Sequence, residues 1–162
     1  LVTVNRKIVF VDGQPYWLCE SISGGMGKVF LLEKVEPSQS LVYRQFLAAK
    51  TFLPGIERLS IRRELTNWLT LSHPNILPLC KIGTIDDELA ALSPWRRFGT
   101  LEGATFSQEQ SSVLHGIASC LLDALEYAWA QHSMLHLDIK PSNVFVKGDP
   151  IQLNLGTGAF PA

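Results

Sequence analysis

Long hydrophobic runs are missing from this 162-residue sequence. No stretch approaches the ~20 apolar residues that a membrane-spanning helix needs, and no signal-peptide pattern opens the chain, so no membrane partner is expected. An excess of either charge is missing too. With 14 Lys and Arg against 15 Asp and Glu, there is no basic field for nucleic acid and no polybasic anchor for a lipid surface. Cysteine is scarce: Cys19, Cys80 and Cys120 are odd in number, far apart and without metal-ligand spacing. They read as reduced, small apolar residues of a cytoplasmic protein. Internal repeats and low-complexity tracts are absent as well. What remains is 46% hydrophobic and 18% charged, enough to bury a core, at a length that suits about one ordinary domain. The chain opens on Leu1 rather than Met, as a fragment or a processed chain would.

Two textures divide the sequence. From Leu1 to about Pro94 it reads as strands with one helix. "RKIVFVDGQPYWLCES" has β-rich runs on either side of Asp12-Gly13, a strong hairpin signal. "KVFLLEKV" and "LVYRQFLAAKTFL" are strand-length runs parted by the turn-rich "EPSQS". A helix follows, with Ile61, Leu65, Trp68 and Leu69 at helical spacing and His73-Pro74 at its end. Two short strands then flank the turn near Asp86-Asp87, for a sum of five or six antiparallel strands. In the second half, Leu114, Ile117, Ala118, Leu121, Leu122 and Leu125 form an i, i+3, i+4, i+7 stripe, and Ser107 with Glu109 and Gln110 suggests the capped start of that helix. Two strand-like runs, "NVFV" and "IQLNL", close the sequence.

Several residues carry chemical possibilities. "SGGMGKVF", Ser23 to Phe30, sets glycines between two strands, where backbone N–H groups can approach phosphate oxygens. The same residues also suit a plain hairpin turn. Lys50 ends a mostly apolar strand and requires either a carboxylate partner or a route to solvent. Glu64 borders the apolar stripe of the first helix and could supply that carboxylate. Glu57 competes for the role, and a solvated helix-face charge is the alternative to both. "HLDIKPSN", His136 to Asn143, gathers an acid, a cation and a carboxamide within six residues.

In order along the chain, the glycine loop, strand lysine, helix glutamate, "HPNI" (His73 to Ile76), striped helix and "HLDIKPSN" resemble the protein kinase superfamily, of the Ser/Thr type. The resemblance spans roughly Cys19 to Gly156, and its most specific part is His136-x-Asp138-x-Lys140-Pro141-x-Asn143. It implies an α+β kinase-like fold. Residues 1–93 would form an antiparallel β-sheet lobe with one C-type helix, and residues 94–162 the hinge and an incomplete, mainly helical lobe. It implies ATP as ligand, with Gly24, Gly25 and Gly27 over the phosphates and Val29 and Ala48 in the nucleotide-binding set. Lys50 would be held by Glu64, Ser93 would be the gatekeeper, and the hinge would run through Pro94, Trp95 and Arg96. Asp138 would be the base, Lys140 the phosphoryl-steadying cation and Asn143 a Mg²⁺ ligand. Lys50, Glu64 and Asp138 would face a common crevice.

Four departures weigh against full activity. Asn154-Leu155-Gly156 stands where the family has Asp-Phe-Gly, so the principal metal carboxylate is absent in either register and Asn154 is the replacement ligand. Hard cations depend on such carboxylates, so Mg²⁺ binding is in doubt. Ile22 replaces the first glycine of the phosphate loop, and Leu137 replaces the arginine of His-Arg-Asp. The sequence stops at Ala162, before any activation segment, as a fragment or as a naturally reduced domain. The reading is a pseudokinase or regulatory nucleotide-binding module. An active Ser/Thr kinase and a scaffold that binds no nucleotide are the rivals. An apolar patch on the striped helix is expected to remain uncovered as a protein-partner surface.

Overall fold

The computed structural model describes residues 7–24, 27–35, 46–53, 55, 57–104, 111–148 and 152–155. They form two compact units, one of Leu1–Ile61 with Leu79–Trp95 and one of Arg62–Pro78 with Arg96–Ala162.

The first unit contains β1 (Lys7–Val11), β2 (Gln14–Gly24), β3 (Gly27–Lys34), β4 (Phe46–Thr51), β5 (Lys81–Ile85) and β6 (Glu88–Pro94). All neighbours pair antiparallel, and the order β1-β2-β3-β4-β6-β5 closes into a barrel. The two hairpins expected from Asp12-Gly13 and Asp86-Asp87 are present. Each turn has positive φ at both central residues (48° and 75°, 47° and 69°), which matches the twist of the flanking strands. Strand alternation then sorts the side chains. Val9, Val11, Leu32, Ala49, Ile85, Ala90 and Leu92 turn inward as one buried cluster, with Tyr16, Leu18 and Phe30 packed against it.

Closure is a feature that strand periodicity alone does not contain. Val11 pairs with Ile85, and the two hairpin turns interlock beside that pair. The Asp12 N–H donates to Thr84 O at 3.1 Å, while the Thr84 N–H donates to Asp12 Oδ1 at 2.7 Å. The Phe10 N–H donates to Asp86 Oδ1 at 3.1 Å, and the Asp86 N–H returns to Phe10 O at 3.0 Å. Lys81 Nζ reaches Asp12 Oδ2 at 2.6 Å. Gly83 makes room for this clasp, since a Cβ there would lie 2.7 Å from Asp12 Oδ2.

The helix α1 (Arg58–Thr70) begins in the first unit and continues into the second. Ile61, Leu65 and Trp68 are buried as the spacing predicts, but Leu69 is exposed. Leu71, just past the helix end, is buried instead. At 100° per residue Leu69 falls off the inward arc that Ile61, Leu65 and Trp68 share.

The second unit adds α2 (Ser111–His132), the short 3₁₀ turns Leu101–Gly103 and Pro141–Asn143, and the hairpin of β7 (Val144–Gly148) and β8 (Gln152–Leu155). Ser107, Glu109 and Gln110 lie outside the described residues. The inward face of α2 is formed by Ala124 and Ala128, with Ile117, Leu121 and Leu125 half-buried. Leu114, Ala118 and Leu122, expected on the buried stripe, are exposed. The apolar residues wrap around most of the helix, so spacing could not select the inward arc.

At its C-terminus α2 is tied to the segment that follows α1. Tyr127 stacks on His73 with ring centroids 4.9 Å apart, and its hydroxyl accepts the Ser72 N–H at 3.0 Å. Asp123 accepts from Asn75 Nδ2 at 3.1 Å and lies 3.4 Å from His73 Nε2. The indole of the buried Trp68 donates to Leu77 O at 2.7 Å. The "HPNI" stretch is therefore a polar-and-aromatic bracket within this unit.

Candidate functional site

Within the barrel, register gathers most of the residues expected to meet a nucleotide onto one face. Directly opposed antiparallel residues point to the same side, as do residues two apart on a strand. Gly24 opposes Gly27, Ile22 opposes Val29, and Val29 opposes Lys50. Ala48 opposes both Leu31 and Ser93. Gly27, Val29, Ala48, Lys50 and Ser93 thus share the face opposite the buried cluster. Gly25 lies outside the described residues.

Individual residues refine this picture. Gly27 has φ 144°, and a Cβ there would collide with Thr51 O. This glycine is therefore required by close backbone approach inside the barrel, whatever it does for a ligand. Ile22 is half exposed beside Val29, which makes this end of the face bulkier than a glycine would. Lys50 is half-buried, and its Nζ lies 5.8 Å from the Phe52 ring centroid. Ser93 is buried and Trp95 half-buried, with the Trp95 N–H directed at Phe46 O over 3.4 Å.

In the second unit the motif loop forms a self-contained cluster. His136 is buried, and its Nδ1 faces the Asp138 N–H at 3.3 Å. The same N–H lies 2.7 Å from His136 O, and Leu137 between them has φ 52°. An i to i+2 bond across a positive φ is a γ-turn of the strained kind. It turns Leu137 outward and Asp138 toward the residues that follow. Lys140 Nζ lies 2.9 Å from Asp138 Oδ2. Asn143 Nδ2 donates to the same oxygen at 2.9 Å and to Asp138 O at 2.8 Å. The 3₁₀ turn from Pro141 brings Asn143 back, with its N–H on Lys140 O at 2.9 Å. Asp138, Lys140 and Asn143 therefore do meet.

Their chemistry is that of a closed set. The Lys140 ammonium beside Asp138 holds its carboxyl below the usual 3.8; burial opposes this, and Asn143 and the nearby His136 add lesser lowering contributions. A carboxylate stabilised in this way is a weaker proton acceptor. Asn143 spends its amide N–H on clamping the loop, which leaves its amide oxygen as the atom that could meet a cation.

Glu64 is half-buried on α1, beside the buried Ile61 and Leu65. Glu57 precedes the helix and is exposed, and its carbonyl accepts the Ile61 N–H at 3.2 Å. Asn154 opposes Phe145 in the β7–β8 hairpin. Among the described residues no group of three or more His, Cys, Asp or Glu could hold a metal ion. The oxygens this loop offers are the Asp138 carboxylate, paired with Lys140, and the Asn143 amide oxygen, a set with one carboxylate where hard divalent cations draw on several. No described helix is long and apolar enough to cross a membrane.

No protein-family model matches the sequence. Over 91 residues, 54% of this chain and 23% of the relative, it is 28% identical to the STE20-related kinase adapter protein strd-1 of Caenorhabditis elegans. It superposes on the kinase domain of Mycobacterium tuberculosis PknI with a TM-score of 0.63 at 20% identity, covering 88% of this chain and 58% of that one. Its superposition on Rad53 residues 1–466, solved in complex with AMP-PNP, has a TM-score of 0.68 at 17% identity over 86% and 36% of the two chains. The chain thus spans about a quarter of the curated relative and between a third and three-fifths of these structures. With the β-barrel unit, the helical unit and the His136–Asn143 loop in that order, these superpositions establish that the chain has the protein kinase fold.

Proposed function

We propose that this chain is a pseudokinase-type module, binding a nucleotide through the barrel face and acting through a protein partner instead of by phosphoryl transfer. The observation that carries the reading is the lack of a second carboxylate to accompany Asp138. Its carboxylate is engaged by Lys140 and Asn143, while the segment Asn154-Leu155 brings no second carboxylate. Phosphoryl transfer relies on metal and cation stabilisation of the transferring group, and each ~1.4 kcal/mol lost there slows the reaction about tenfold. Gly27, Val29, Ala48, Lys50, Ser93 and Trp95 are the residues assigned to the nucleotide. The likeness to a protein named as an adapter supports the partner half of the reading.

Melting in the presence of ATP tests it. Ligand at ~100 times its dissociation constant adds roughly 2.7 kcal/mol of stability. The expected result is a shift that does not depend on Mg²⁺ and is reduced in Lys50→Met. Absence of any shift would favour a scaffold that binds no nucleotide.

The same loop supports a second reading. Lys140 and Asn143 each lie 2.9 Å from Asp138 Oδ2, which is the grouping an active Ser/Thr kinase needs. In that case the shift requires Mg²⁺, and labelled phosphate appears on a protein substrate with the native chain but not with Asp138→Ala.

A further inference from the structure

The barrel face assigned to the nucleotide changes character along its length. Register divides it into cross-strand rows. Leu31, Ala48 and Ser93 form one row, and Ile22, Val29 and Lys50 form the next. At the hairpin end Gly24 opposes Gly27. The first row is mostly apolar and suits a base, which needs flat apolar cover and few polar groups. The other two lie where a phosphate chain would run, and three features limit what they can hold. Lys50 is the one lysine or arginine that register places on this face among the described residues. Lys7, Lys28, Lys34 and Lys81 all alternate with it and share the parity of the buried cluster. Ile22 is half exposed and stands across from Val29. Its branched side chain offers no donor, and its bulk holds an anion off the backbone that a glycine would leave open. Gly27 approaches Thr51 O, a carbonyl acceptor that has no hydrogen to give a phosphate oxygen.

We propose that this face takes a nucleoside monophosphate in preference to a triphosphate, with Ile22 setting the preference. One cation matches one phosphate, and Lys50 can meet the first phosphate through charge-assisted hydrogen bonds. A second and third phosphate would lie against the Ile22 side chain and near Thr51 O. There they lose hydration without gaining donors. A metal held by carboxylates would normally offset that loss, and Asn154-Leu155 supplies no carboxylate for one. A base on the Leu31–Ala48–Ser93 row is indifferent to all of this. The inference rests on the proposed nucleotide-binding reading and refines which nucleotide is taken.

Calorimetric titration of the full chain with adenosine, AMP, ADP and ATP in Mg²⁺-free buffer tests it. AMP is expected to bind most tightly, with ATP at least about tenfold weaker, the scale on which one misfitting group is discriminated. In Ile22→Gly the gap between AMP and ATP should close to about parity, with Ile22→Ala in between. Lys50→Met should reduce AMP to the affinity of adenosine. The comparison of the four ligands on the native chain stands even if a variant fails to fold. ATP binding as tightly as AMP to the native chain overturns the proposal and leaves the nucleotide-binding reading in place. A gap that persists undiminished in both Ile22 variants overturns the role given to Ile22. Absence of binding by all four ligands overturns the proposal together with the nucleotide-binding reading.

Discussion

Leu32, Ala49 and Leu92 in the barrel are completely buried, whereas Leu122, Trp129 and Leu137 in the helical unit are each more than half exposed. Both regions are rich in apolar residues, so composition does not separate them. The difference is geometric. A closed set of antiparallel strands directs every second side chain into one interior and leaves no free sheet edge. A helix with apolar residues around most of its circumference can direct only one arc inward and presents the rest. The barrel thus completes its own core, while α2 and the loop after it keep apolar side chains on their outer face. The two regions also treat polar groups differently. Asp12 and Asp86 spend their side chains on closing the barrel, while Asp138 spends its own on shaping a loop.

The largest expected effect on this comparison is Gly27→Ala. The added Cβ meets Thr51 O, a backbone atom, at a φ unsuited to alanine. The loss should exceed about 4 kcal/mol, seen as a collapse of the denaturant midpoint. A smaller effect separates the two regions directly. Leu92→Ala empties a buried site and should cost about 3 kcal/mol, whereas Leu122→Ala on the exposed face should stay within ~0.5 kcal/mol. Equal costs in urea unfolding would mean that the α2 face is buried after all. The smallest effect concerns the clasp. Lys81, with help from the Thr84 N–H, holds the Asp12 carboxyl below its ordinary 3.8. A depressed folded value gives stability that is fully present above that ordinary value and is lost as pH falls through the folded one. Because both side chains are more than a third exposed, the contribution should be under ~1 kcal/mol and weaken with salt. Asp12→Asn should flatten stability between pH 5 and pH 3, within about that margin.

Much of this was legible from local chemistry. Asp12-Gly13 and Asp86-Asp87 announced their hairpins because few residues adopt a left-handed conformation cheaply. The order of motifs pointed to the fold, and the His136–Asn143 loop announced itself through rare residue types at fixed spacing. Other features were hidden. The interlocking of two turns whose bonded residues are 72 and 76 positions apart depends on a missing Cβ at Gly83, which no pattern within either turn reveals. The exposure of Leu69, Leu114 and Leu122 depends on which arc of a broadly apolar helix meets a neighbour. Gly27 reads in the sequence as a phosphate-loop glycine, yet the geometry gives it a structural reason of its own at Thr51.

Turn chemistry, strand alternation and motif spacing are properties of neighbouring residues, and the amino-acid sequence by itself determined them here. Barrel closure, the pairing of Asp138 with Lys140 and Asn143, and the choice of which apolar residues face outward were decided only by the tertiary structure. These depend on side chains meeting across space, and burial energy favours apolar contact without specifying the partner.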